Sequence, residues 1–461
     1  MKLVLLSGGS GKRLWPLSNE SRSKQFLKVL TGSDGRVVSM LQRMWDQLDR
    51  AGLQQDAYVC ASKAQWEIIS AQIGDVPFIE EPARRDTFPA IALACTYLRD
   101  QAGCTRDEVI VVMPVDHFVD DAYFQAIRRL PGALVESGAD LALLGVAPTE
   151  PTSKFGYIRV RPGGDGRDWR WVDAFEEKPE TARAEVLIRD GALWNCGVFC
   201  FRLGYMLDLL AGLGAPEGFE AMREFFHSLP KRSFDYEVVE KAASVVVCRY
   251  DGTWKDLGTW NALSSEMEQS FAGIGQAVAC ENTHVVNELG IPLVAMGLRD
   301  AVVVAAPDGI LVADKAMSAG LKDVVGAYDG RPMYEERRWG TLRVLDVQKL
   351  PDGTEMVVRS VEIWPGHNIS YQKHLKRSEV WTITDGEGEV ALDDRILPVG
   401  PGDVVRVYAE QWHAIRARTR LQLIEVQRGS ELVEEDIVRR YLTWEEIRRH
   451  CGAGVRRDHS G

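Results

Sequence analysis

The chain has 461 residues, too many for one ordinary hydrophobic core, so two or three domains are expected. Its 45% hydrophobic and 26% charged content is that of a globular protein, and a net charge of −12 excludes a broad nucleic-acid footprint while leaving room for a local basic pocket. No apolar run approaches the ~20 residues needed to cross a bilayer. The start has no basic segment followed by a long apolar one, so no signal peptide and a cytoplasmic location are expected. The eight cysteines show no C-x-x-C spacing and read as reduced thiols. Cys196 and Cys200, four apart in a strand-like run, read as packing rather than as ligands.

Leu3-Val4-Leu5-Leu6 reads as a buried parallel strand, cut off by Gly8, Gly9 and Gly11 and followed by Lys12, Arg13 and, further on, Lys24. Strand, glycine loop and cations is how a chain presents backbone N–H groups and positive charge to a phosphate. The dinucleotide fingerprint fails for want of a third glycine, and the P-loop fails because Arg13 follows Lys12. The whole string GGSGKRLWPLSNESRSKQF resembles the signature of sugar-1-phosphate nucleotidylyltransferases, and within them the mannose-1-phosphate guanylyltransferases. Lys12 stands where a small residue is common, and Ser23 where proline precedes the lysine. The resemblance implies that Gly8, Gly9, Gly11 and Lys12 line the nucleotide, that Arg13 binds its phosphates and that Lys24 acts near the reacting centre.

Further along, helical spacing over Val38–Leu53 and Lys63–Ile73 alternates with strands at Ala57–Cys60 and Val76–Ile79. This alternation argues for a doubly wound parallel sheet with ligands at its carboxyl ends. Before a helix expected over Ile91–Leu98, Asp86 or Thr87 suits a helix cap and Pro89 a first turn. The same stretch, Glu81-Pro82 to Ala90, resembles the guanylyltransferase motif that contacts the base, which implies nucleotide contacts from Arg85, Asp86 and Thr87. Glu108–Met113 is a further buried strand, and Asp116 just past it is where a phosphate-bound Mg²⁺ needs a hard oxygen ligand; a helix cap is the plainer alternative. VVMPVDHF also resembles the family element that places this aspartate at the metal.

Leu141–Val146 reads as another strand. Then Lys154-Phe155-Gly156-Tyr157-Ile158, Phe175-Glu176-Glu177-Lys178-Pro179 and Trp194-Asn195-Cys196-Gly197 follow in the family's order. The resemblance implies that Gly156, Glu177 and Asn195 hold the sugar and that Lys178 meets its phosphate. Ser233–Lys241 and Trp254–Trp260 are similar to two more family elements, with Asp256 the second Mg²⁺ carboxylate beside Asp116.

Residues 269–330 alternate short apolar runs with turns and are similar to the family's solenoid-like β tail. From Trp339 onward, short strands punctuated by Gly and Pro signal an all-β barrel or jelly roll. Gln372 and His374 lie two apart on one strand and therefore share a face, and Glu379 and His413 complete a set of four N/O ligands for a divalent ion. This part resembles the cupin domain of type II phosphomannose isomerases, which implies a substrate role for Arg439 and a metal such as Zn²⁺. Leu375 and Lys376 replace histidines usual in that family.

The reading is α/β: a Rossmann-like nucleotidyltransferase (GT-A-like) mixed sheet over 1–268, a β extension over 269–330 and an all-β cupin over 331–461. The expected reaction is transfer of GMP from GTP to mannose 1-phosphate with Mg²⁺, and the cupin is a candidate for interconverting mannose 6-phosphate and fructose 6-phosphate. No nucleic-acid or membrane partner is expected, and the assembly expected is a homodimer. The attacking phosphate oxygen is already anionic, so no general base is needed. Alternatives are another base or sugar 1-phosphate with a purely structural cupin, a glycosyltransferase (which lacks its D-x-D here) and a non-catalytic nucleotide-sugar sensor.

Overall fold

The computed structural model describes residues 1–8, 11–162, 167–328 and 330–453. The first half is a nine-stranded sheet in the order Phe78–Glu81, Ala57–Ser62, Lys2–Leu6, Val109–Pro114, Leu193–Arg202, Leu141–Val146, Val245–Tyr250, Trp169–Glu176, Tyr157–Val160. Lys2–Leu6 is parallel to both neighbours, and each of these strands is buried on two faces. Leu3 and Leu5 face a core shared with the helices Met40–Arg50 and Ala122–Ser137, while Val4 and Leu6 face one shared with Thr87–Asp100 and Leu203–Gly212. Two-faced burial is why the sequence shows continuous apolar runs here rather than alternation.

Leu193–Arg202 runs antiparallel to both Val109–Pro114 and Leu141–Val146, so the sheet is mixed, as the resemblance implied and the strand–helix alternation alone did not. The helix expected from Ile91 begins at Thr87, because Pro89 fits the first turn, where its missing N–H has no partner to lose.

Beyond the sheet, short parallel strands stack in coils: His284–Asn287 pairs with Ala301–Ala306, and Gly275–Val278 with Leu293–Met296. Val286, Val302 and Val304 of these strands, with Leu311 of the antiparallel strand Gly309–Asp314, pack on Leu14, Leu17 and Leu27 of the glycine-loop region and on Trp260. A Cβ at Gly309 would overlap the Trp15 indole, so the solenoid seats directly on that loop. The C-terminal part is two six-stranded sheets, one opening with Tyr334–Arg337 and including Arg377–Asp385 and Leu421–Gly429. The other includes Tyr371–His374, His413–Ala417 and Ile437–Tyr441. Among the described residues no helix is long and apolar enough to cross a membrane.

Candidate active site

The pairing of Leu6 with Pro114 sets the carboxyl ends of two parallel strands side by side. Gly8 therefore leaves the sheet next to Asp116. The short strand Trp254–Asp256 runs antiparallel to His117–Val119 with Asp256 opposite His117, which brings the second carboxylate to the first. From the other side, the turn Lys24–Phe26 is pinned to the first strand by the Gln25 amide, which donates to Ser7 Oγ at 3.1 Å. Lys24 Nζ then lies 2.8 Å from Asp116 Oδ2 and 2.6 Å from Asp256 Oδ1. Burial works against the Lys24 ammonium, but the two carboxylates outweigh it and hold its pKa above the ordinary lysine value. Burial likewise opposes ionisation of Asp116, and Lys24 more than offsets it, so that carboxyl stays below the usual aspartate range.

The same contact tests the fit of a metal. Two carboxylates from segments far apart in sequence converge on one positive centre, and hard oxygen donors completed by phosphate and water are the usual Mg²⁺ environment. The donor set fits. Arg13 is exposed in the turn Gly11–Leu14, beside the Lys24 turn; Gly9 lies outside the described residues.

A second group adjoins. Asn195 sits at a bulge in its strand, its backbone N–H donating to Gly156 O at 2.8 Å and its side-chain amide to Asp235 Oδ1 at 2.7 Å. A Cβ on Gly197, two residues on, would meet Pro114 at 3.7 Å and His117 at 4.0 Å, so this group borders the Lys24 cluster. Lys178 Nζ contacts Glu177 Oε1 at 2.5 Å. A Cβ on Gly156 would stand 2.5 Å from Glu177 Oε2 and 2.6 Å from Phe175 Cζ, closer than side chains tolerate. Gly156→Ala should therefore displace Glu177; with Glu177 on the sugar, as the resemblance implies, the KM for the sugar phosphate should rise about tenfold and the KM for the nucleotide change little. Steady-state kinetics check this, and an unchanged sugar-phosphate KM would contradict it.

Burial, reinforced by the negative charge of Glu177, pushes the Asp235 carboxyl up to about 7; Lys178 opposes the shift and Asp86 adds to it. An aspartate in the unfolded chain titrates near ~3.9. Between these values the native form holds the proton that the unfolded form has released. The group's contribution to stability is thus full below about pH 4 and lost as pH rises through about 7. Asp235→Asn should flatten Tm between those limits and raise it at pH 8, as read by calorimetry; the parent's slope persisting in the variant would contradict this.

The sequence-predicted nucleotide residues are bonded to the protein itself. Asp86, at φ 73°, caps the helix by accepting the Thr87 N–H at 2.8 Å. Thr87 Oγ1 accepts the Phe234 N–H at 2.8 Å, and Arg85 donates to Leu229 O at 2.8 Å. Asp235 and Gln25 were missed by sequence reasoning, although both lie inside the family-like strings Ser233–Lys241 and GGSGKRLWPLSNESRSKQF.

In the barrel, His374, Glu379 and His413 are buried, with candidate ligand atoms within 4.8 Å of one another. His413 engages Gln411 O through Nδ1 at 2.9 Å, while its buried Nε2 has no hydrogen-bond partner. That is how an imidazole is oriented for metal ligation. Glu379 accepts from Gln427 Nε2 at 2.9 Å, Trp381 Nε1 at 3.1 Å and Arg377 Nε at 3.2 Å. These donors fit a divalent metal. Gln372 is buried beside them, its Oε1 accepting from Ser370 Oγ at 2.9 Å, and Arg439 is its register partner on Ile437–Tyr441.

Comparison with known proteins accounts for both halves. The nucleotidyl transferase family model matches residues 2–271, and the mannose-6-phosphate isomerase C-terminal model matches 332–441. The mannose-1-phosphate guanylyltransferase ManC of Salmonella typhimurium is 32% identical over 95% of this chain and 96% of its own. This chain belongs to the mannose-1-phosphate guanylyltransferase family. The xanthan biosynthesis protein XanB of Xanthomonas campestris is 34% identical over 95% of this chain and 97% of its own. A crystal structure from Thermus thermophilus, described as a mannose-1-phosphate geranyltransferase, superposes with a TM-score of 0.60 at 29% identity, covering 71% of this chain and 99% of that one. The Lys24 cluster lies within the segment matched by the nucleotidyl transferase model, and the His413 cluster within that matched by the mannose-6-phosphate isomerase C-terminal model.

Proposed function

We propose that this chain transfers GMP from GTP to α-D-mannose 1-phosphate, releasing pyrophosphate and forming GDP-mannose. The observation that carries this is the convergence of Lys24, Asp116 and Asp256 at the glycine loop of a guanylyltransferase-family chain. The attacker is a phosphate oxygen, so the site has no proton to remove. Its work is to align two phosphates and offset charge at the α-phosphorus. The Gly8–Arg13 loop and the start of the helix at Arg85–Thr87 are assigned the nucleotide, with Arg13 on its phosphates. Lys24 supplies a fixed positive charge beside the reacting groups. Glu177 and Asn195 orient the sugar, and Lys178 its phosphate. Asp116 and Asp256 would hold Mg²⁺, which supplies charge neutralisation on the phosphate oxygens when bound.

For the barrel we propose interconversion of mannose 6-phosphate and fructose 6-phosphate. Gln372, His374, Glu379 and His413 would hold a divalent metal such as Zn²⁺, which polarises the substrate's oxygens when bound. Arg439, beside Gln372 in register, is assigned to the substrate. We also propose a homodimer, supported by exposed apolar side chains on two strands of the solenoid, where Val294, Met296, Ile310 and Val312 are more than half exposed. A cytoplasmic location agrees with the eight free thiols.

A panel of five nucleoside triphosphates against several sugar 1-phosphates, read by pyrophosphate release, tests the first reaction. Release is expected only with GTP and mannose 1-phosphate together; release from GTP alone, or from a different pair, would overturn it.

A further inference from the structure

Lys24 is held on its C-terminal side by Gln25, and the segment before it is held from across the molecule. Arg22 is only 6% exposed, yet its guanidinium forms two parallel bonds to the solenoid residue Glu288, at 2.8 and 2.9 Å. These residues are 266 positions apart in the chain. The guanidinium also lies over the Tyr334 ring, 5.1 Å from its centroid, on the first strand of the barrel. Three residues earlier, Asn19 accepts the backbone N–H of Arg22 at 2.7 Å and donates to Asp308 of the solenoid at 3.3 Å. Asp308 in turn accepts the Met333 N–H at 3.1 Å. On the sheet side, Arg84 donates to Glu20 O at 3.1 Å, and Gln65 to Ser23 Oγ at 3.3 Å.

The loop that carries the reactive lysine is therefore clamped between the catalytic sheet and the second half of the chain. Its strongest single tie is a bidentate ion pair two residues from that lysine. A planar, always-charged guanidinium fixes direction as well as distance, which a point charge does not. Lys24 reaches carboxylates on two different segments at 2.6 and 2.8 Å, so a loop free to shift by an ångström would carry its charge away from them.

We propose that Arg22 and Glu288 are positioning residues for nucleotidyl transfer, with the solenoid completing the site by fixing the loop that presents Lys24. This rests on the nucleotidyltransferase reading of the Lys24 cluster. Glu288→Gln keeps the shape and one acceptor, Arg22→Met keeps the aliphatic stem, and the double variant closes the cycle. Rates are measured at 15 °C, well below Tm, with the wild-type chain assayed first on the full substrate panel. Each single variant should lower kcat by about tenfold to 100-fold with the KM for GTP within about threefold, and the double should be no worse than the poorer single. Arg22→Lys should recover part of the loss. If Arg22 and Glu288 only glue the two halves together, Tm falls while kcat at 15 °C stays within about twofold, and that result overturns the proposal. Should wild type prefer another substrate pair, the substrate reading falls, and the same kcat ratios on that pair still decide the role of Arg22.

Discussion

Asp116→Asn and Asp256→Asn should each lower kcat for pyrophosphate release by at least ~100-fold, on the order of 3 kcal/mol of transition-state stabilisation. Each variant keeps its side-chain shape and loses one negative oxygen from a pair that converges on Lys24. Stability should separate the single from the double variant. In either single variant the Lys24 ammonium keeps one carboxylate, so Tm should move little. In the double variant a largely buried ammonium faces two neutral amides, a loss of about 3 kcal/mol by the measure of broken buried pairs. Activity and thermal unfolding measured on all three proteins check this. Near-normal turnover in either single variant would remove the pair from the mechanism.

His413→Gln should cut metal bound to the barrel at least ~100-fold and abolish sugar-phosphate isomerisation while leaving GMP transfer within about twofold. The imidazole is fully buried, with Nδ1 held by Gln411 O and Nε2 without a hydrogen-bond partner, and glutamine fills a similar volume without reproducing that geometry. The two activities should separate because His374, Glu379 and His413 stand on the two C-terminal sheets, whereas Lys24 and Asp116 lie in the first half, outside the strands of the nine-stranded sheet. Metal content after dialysis and a coupled isomerase assay check it. Isomerisation that survives in the variant, or in chelator-treated wild type, would reduce the cluster to a buried polar network.

Two strands of the nine-stranded sheet were legible from their apolar runs. Lys2–Leu6 and Leu141–Val146 are apolar on both faces, and such runs stand out in any sequence. The direction of Leu193–Arg202 was not legible, because a strand buried on both sides carries no periodic mark of which way it runs. Asp116 and Asp256 stood out through the short strings VVMPVDHF and Trp254–Trp260, and the ladder between His117–Val119 and Trp254–Asp256 is what brings those two strings side by side. Asp235 was passed over because its significance depends on Asn195, 40 residues away, and on the charge of Glu177. The Arg22–Glu288 pair was equally hidden: each residue alone reads as a solvated surface charge, and only the seating of the solenoid on the loop makes them partners.

The proposed transfer relies on alignment and charge at the Lys24 cluster, with no protein nucleophile. The stereochemistry at phosphorus tests that most directly. With a single isomer of guanosine 5′-(α-thio)triphosphate and mannose 1-phosphate, one in-line displacement inverts the α-phosphorus, and the configuration of the thio-GDP-mannose can be read by phosphorus NMR. Inversion is the expected result. Retention, the signature of two successive displacements through a guanylylated side chain, would contradict the account.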